Sequence, residues 1–186
     1  MRPRVRLLPQ TGRVAPVAEE RSYVEANTRQ RERMRALVEG LDDDALEAPV
    51  NEYWTVAGVL GHIAYWDIRV LVLAEKIDRG EPWAPGDAEP DGDWLNDSTR
   101  PLIHAIRPRD AAEFALRIAE QTDARVAELP LDRLYPHDPD SPIYAGRGEH
   151  RGEHLDEMRL PCEPAADAGI LDEAVPGIRF ARSRSP

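Results

Sequence analysis

Apolar residues in this chain recur at the spacing of helices rather than of strands. Between Val17 and Gly40, Tyr23, Met34, Leu37 and Val38 stand among Glu, Arg and Gln, which predicts a first helix stopped at Gly40. Asp42, Asp43 and Asp44 then open a short helical turn that Pro49 ends. The second long helix has the strongest pattern: Val59, Ile63, Trp66, Val70, Leu73 and Ile77 alternate steps of four and three, the seam of a bundled helix. Thr55 is placed to cap it, Trp54 to pack back on Val59 as a staple, and Gly80 to terminate it after Arg79.

Residues 81–97 gather Pro, Gly, Asp and Glu around Trp83 and Trp94, predicting a long polar loop. Leu102 to Ile106 add an extra turn. Asp110 with Glu113 has the spacing of a capping box for a third long helix, which carries Ala111, Phe114, Ile118, Thr122, Val126 and Leu129 inward as far as Pro130. Residues 131–142 form another loop. A last helix follows from Tyr144 to Leu160, although Gly146, Gly148 and Gly152 each cost it about 1 kcal/mol relative to Ala. Residues 1–16 have no periodicity and are expected as a flexible leader, and residues 161–186 as an irregular tail. The expected fold is all-α: a four-helix bundle over residues 17–160 with long crossover loops.

With 186 residues the chain has room for one core, and a net charge of -11 opposes binding to nucleic acid or to an anionic membrane surface. No apolar run is expected to reach the roughly 20 residues of a membrane span. The single cysteine, Cys162, cannot form an internal disulfide, which points to a reducing, cytoplasmic setting.

The five histidines are the most informative feature. His150 and His154, four apart on one helix, project from the same face about 6 Å apart along the axis and are spaced to grip one metal ion. Charged neighbours around them equally suit a solvated face. His62 stands one turn from both Val59 and Trp66 and must find a partner beside the seam, whether a carbonyl, a carboxylate or a shared metal. Three imidazoles with vacant positions are the layout of a catalytic zinc site, and iron, nickel or manganese suit the same ligands. His104 and His137 are expected at the surface. His150 to His154 also spells H-x-x-E-H, the inverted zinc-peptidase motif, but those enzymes need a further Glu on a later helix and only the irregular tail follows.

Trp54-Thr55, Leu60-Gly61-His62-Ile63 and Trp66-Asp67, with His150-x-x-x-His154-Leu-x-Glu-Met closing the last helix, together resemble the DinB-like superfamily. Trp94-Leu95-Asn96 resembles, more loosely, an aromatic and Asn segment that follows the second helix in many members. The resemblance implies a four-helix bundle and a divalent metal held by His62, His150 and His154. It also implies kinship with transferases and isomerases that use low-molecular-weight thiols such as mycothiol or bacillithiol, in which a metal would hold the sulfur and lower its pKa.

Two functions follow as expectations. One is a metal-dependent enzyme, a thiol-dependent S-transferase or a hydrolase, acting on a small molecule. In it Asp67 and Glu153 orient ligands or move protons, and Trp66, Trp94 and Asn96 bind substrate. For Asp67 the alternative is a pair with a neighbouring Arg on an exposed face, and for Trp66 it is seam packing. The other function is a non-catalytic metal-binding or small-molecule-sequestering stress protein. Val70, Leu71, Val72 and Leu73 also offer an apolar face for a homodimer.

Overall fold

The computed structural model describes residues 21–82 and 92–158; the expected leader, Trp83, Cys162, the tail, and residues 17–20 and 159–160 of the expected first and last helices lie outside them. The described residues form six α-helices: α1 (Ser22–Gly40), α2 (Asp43–Glu47), α3 (Val56–Asp78), α4 (Gly92–His104), α5 (Pro108–Glu128) and α6 (Arg147–Glu157). A 3-10 turn at Leu131–Arg133 follows α5, and no strand occurs among these residues.

Local chemistry sets most boundaries as expected. Thr55 accepts a hydrogen bond from the Gly58 amide at 3.0 Å and opens α3, while Gly80, at φ +70°, takes the left-handed conformation that follows its end. Asp42 caps α2 through the Ala45 amide at 2.8 Å.

Three boundaries differ from expectation. Helix α5 begins at Pro108, ahead of the anticipated Asp110 cap, because proline is preorganised for the first helical position and has no amide to leave unpaired. Asp110 instead pairs with Arg107 at 2.6 and 2.9 Å within the first turn. Helix α6 starts at Arg147 rather than Tyr144. The largest difference is α4, which makes residues 92–97 helical where a loop was expected, and which continues through Pro101. Only Ile103 of α4 is buried; Trp94 and Leu102 are exposed, and the segment reads in the sequence as polar and broken by Pro101. Ile103 seats against Gly61 of α3, where an added Cβ would lie 2.6 Å from its Cγ2.

Helices α3 and α5 make the most extensive pairing, and buried Ala111, Ala112, Ala115 and Ala119 let α5 approach closely. Two apolar clusters form along this pair. One is built around Val56, Leu60, Ile63, Ala115 and Leu155, with Met34 and Val38 of α1; the other around Val70, Leu73, Val126, Leu134 and Ile143. Between them on α3 and α5 lie Asp67, Thr122 and Asp123, all buried. The core is therefore two apolar blocks with a polar layer between.

The expectation that no apolar run reaches spanning length is corrected by α3, whose bounds are close to those expected. It is long and apolar enough to cross a membrane by composition, but 67% of the qualifying window is buried inside the molecule. Packing among neighbouring helices accounts for its apolar character. Val70 and Leu73 of the anticipated dimer face are consumed in this core, whereas Val72 is exposed.

Helix α6 is fastened to α1 by a contact that only glycine permits. The buried Asn27 side chain accepts from the Gly148 amide at 2.6 Å and donates to the Ala145 carbonyl at 2.9 Å. A Cβ on Gly148 would lie 2.7 Å from the Ala26 carbonyl oxygen, in rigid backbone. The glycine that costs propensity thus provides the close approach. Gly148→Ala should lower stability by about 1–3 kcal/mol in chemical denaturation. Gly40→Ala, with no heavy atom within 4 Å of the added methyl, should leave it unchanged or slightly raised.

Candidate metal centre

The docking of α6 beside α3 brings three imidazoles to one place. His62 comes from the middle of α3 and is buried; His150 and His154 come from successive turns of α6 and are half-buried. One nitrogen from each lies within 4.8 Å of the others, and the ring centroids are 4.7 Å (His62–His154), 4.7 Å (His150–His154) and 5.5 Å (His62–His150) apart. Bonds near 2.1 Å put nitrogens about 3–4 Å apart around one ion, so an ion would draw these rings together by up to about an ångström.

Each ring has a different second contact. His154 Nδ1 lies 3.0 Å from Glu157 Oε2, so it donates to the carboxylate and leaves Nε2 with a free lone pair, the usual support for a ligating histidine. His62 Nδ1 is buried with no hydrogen-bond partner. His150 Nδ1 is 3.2 Å from Arg147 Nη2, and because a guanidinium only donates, the ring nitrogen there is the acceptor. Burial first, then the fields of His154 and Arg147, hold His62 down to a pKa of about 3. Burial and then Arg147 hold His150 well below the usual histidine range. Both rings are neutral near pH 7, the form that binds a cation.

The residues present fit a metal ion. The orphaned Nδ1 of His62 is a buried polar atom left without a partner by the protein, which costs about 1–3 kcal/mol, and a cation held by that nitrogen and the other two rings would offset it.

The rings open on a cavity of about 390 Å³. Trp66 and Asn96, expected to touch substrate, line it and bond each other, indole Nε1 donating to the amide oxygen at 3.1 Å. Glu153 also lines it. Trp94 does not, and is 65% exposed. His104 is exposed and stacks on Trp54 with centroids 5.4 Å apart, and His137 is exposed.

Asp67 departs furthest from its expected exposed pairing: it is 0% exposed and does not line the cavity. Its Oδ1 accepts from Arg147 Nε at 2.8 Å and its Oδ2 from Arg151 Nε at 2.9 Å. Arg151, one of the charged neighbours that equally suited a solvated face, is also 0% exposed; its Nη1 reaches Asp123 at 2.9 and 3.0 Å, and Asp123 in turn accepts from Arg31 at 2.5 Å. This chain of ion pairs joins α1, α3, α5 and α6 through the polar layer and fixes the rotation that aims His150 and His154 inward.

Sequence reasoning did not single out Arg147, Trp54 or Glu157 as members of the site. Glu157 had a signal, since it follows His154 by three residues on one helix face. Trp54 meets the edge of His62 at 5.5 Å, a role hidden behind its expected staple function. Arg147 gave no signal, because nothing local marks an arginine that will be buried.

In comparison with known protein families, a sequence model described as the DinB superfamily matches residues 26–155. Comparisons with curated proteins and with solved structures gave no match.

Removing one partner of a buried ion pair leaves an uncompensated charge, so Asp67→Ala should cost about 3–5 kcal/mol in urea denaturation. Asp156→Ala, which removes only the exposed pair with Arg33, should cost less than about 1 kcal/mol. Similar values for the two variants would contradict the structural role given to the polar layer.

Proposed function

The chain belongs to the DinB superfamily, and from that premise we propose that it is a divalent-metal-dependent enzyme acting on a small molecule, a thiol-dependent S-transferase or a hydrolase, on a four-helix bundle of α1, α3, α5 and α6. The observation that carries this reading is the buried His62 nitrogen without a partner, in a cluster where two further imidazoles face the same cavity. A cavity of about 390 Å³ is at the small end of the range for ligand sites, which suits a small substrate.

His62, His150 and His154 would hold the ion, and three protein ligands leave positions for a reactant, as catalytic sites require. When bound, the ion supplies a Lewis acid that makes a thiol or a water acidic enough to react as a nucleophile near pH 7. Glu157 keeps the Nδ1 proton of His154 and so fixes its tautomer. Glu153, on the cavity wall between the two histidines of α6, would take a proton from the reacting group. Trp54 and Trp66 form apolar walls that limit water around the rings.

Elemental analysis of protein purified without a chelating tag should find about one equivalent of a divalent metal, and His154→Ala should lose most of it while keeping the wild-type helical content. Unchanged occupancy in the variant overturns the ligand set. Small-thiol transfer and ester hydrolysis assays on the metal-loaded protein then separate the two chemistries, and tight metal with no turnover in either identifies a sequestering protein instead.

A further inference from the structure

We propose that Arg147 anchors a carboxylate on the small molecule that enters the cavity, which makes the ligand class an organic monoanion; the inference rests on the metal-centre reading above. Arg147 lines the cavity, yet it is only 7% exposed. Its Nε is pinned to Asp67 Oδ1 at 2.8 Å, which fixes the plane of the guanidinium. Of its two outer nitrogens, Nη2 meets His150 Nδ1 at 3.2 Å, and Nη1 has no hydrogen-bond partner among the described residues.

A metal on His150 changes this balance whichever ring nitrogen it takes. Ligation through Nδ1 consumes the lone pair that accepts from Arg147. Ligation through Nε2 puts the ring proton on Nδ1, so that two donors face each other. In both cases Nη2 loses its acceptor. Both outer nitrogens then lack a protein acceptor, and a carboxylate supplies two oxygens in the matching planar arrangement.

The charge of the polar layer points the same way. In the buried layer Arg147 and Arg151 share Asp67, and Arg151 shares Asp123 with Arg31, so Arg147 has no carboxylate to itself. Arg151 is enclosed, with Asp67, Asp123 and the Ala119 carbonyl around it, and Arg31 has Glu32 at 3.7 Å. Arg147 is the member that faces the cavity. Asp93, Glu153 and Glu157 also line the cavity and would repel a second negative charge on the ligand.

The test is calorimetric titration of the full chain, metal-free and metal-loaded, with benzoate and with its neutral isostere benzamide. Wild type should bind benzoate about tenfold or more tightly than benzamide, with the larger preference in the loaded protein. Arg147→Gln should erase the preference at unchanged metal stoichiometry and helical content, and Arg147→Lys should reduce it severalfold, because a point charge lacks the fork. No preference in wild type overturns the proposal, as does a preference of full strength in Arg147→Gln, which would mark benzoate as a ligand of the ion alone. Should Arg147→Gln fail to fold, full preference in Arg147→Lys overturns it. Metal content measured on the same samples keeps the two readings apart. An Arg147-dependent preference in protein that takes up no metal removes the metal centre and retains the carboxylate site.

Discussion

Asp67, shielded from solvent and shared by two guanidiniums, is the constraint on which the arrangement of this protein depends. A carboxylate at that depth is tolerated only with its charge and lone pairs met, and Arg147 and Arg151 meet them from consecutive turns of α6. Arg151 then passes the requirement on to Asp123 of α5, and Asp123 to Arg31 of α1. An apolar layer of the same shape is often as stable as such a network. What the ion pairs add is position. Rotating α6 by one residue would strand at least two buried charges, whereas an apolar face would tolerate the shift more easily.

This explains which parts of the molecule were legible in the sequence. The α3 seam, the Thr55 cap and the His150–His154 pair rest on local rules, namely spacing along a helix and a hydroxyl one residue before it, while joining His62 to that pair drew on the family resemblance. Such rules need no knowledge of neighbours. Helix α4 failed that route because its residues are mostly polar with Ile103 alone buried, and because Pro101 within it imitates a break. Arg151 and Asp67 failed for a different reason. A charged residue in a helix is ordinarily solvated, and only contacts across 28 and 84 residues of sequence make these two interior. Gly148 and Gly152 were legible only as costs. The compensation lies on α1, in the Ala26 backbone and the Gln30 side chain that come close to them.

The same long-range contacts decide the chemistry of the histidines. Burial drives His62 and His150 to the neutral form, and the positive charge of Arg147 beside them reinforces it. Neutral rings with unspent lone pairs attract a cation, yet a positive residue beside them would by itself repel one. Asp67 resolves the conflict in part, because it neutralises Arg147 on the side away from the cavity. The glutamates on the cavity wall offset more of that field, and Glu157 does so through a ring nitrogen rather than from a distance.

Scaffold and site are therefore not separable here. Arg147 belongs to both: one nitrogen holds the polar layer together and another touches a candidate metal ligand three residues further along the same helix. Anything that binds the histidines must alter that second contact, since the His150 nitrogen cannot accept from arginine and serve a cation together. The first contact need not change, because it uses a different edge of the guanidinium. An ion or ligand in the cavity can thus reorganise hydrogen bonding at the surface of the site while the ion pairs that position α6 remain intact, and its binding free energy adds to folding stability by simple mass action. That division between a fixed inner edge and an exchangeable outer edge is available to arginine and not to lysine, whose single ammonium has no second face to offer.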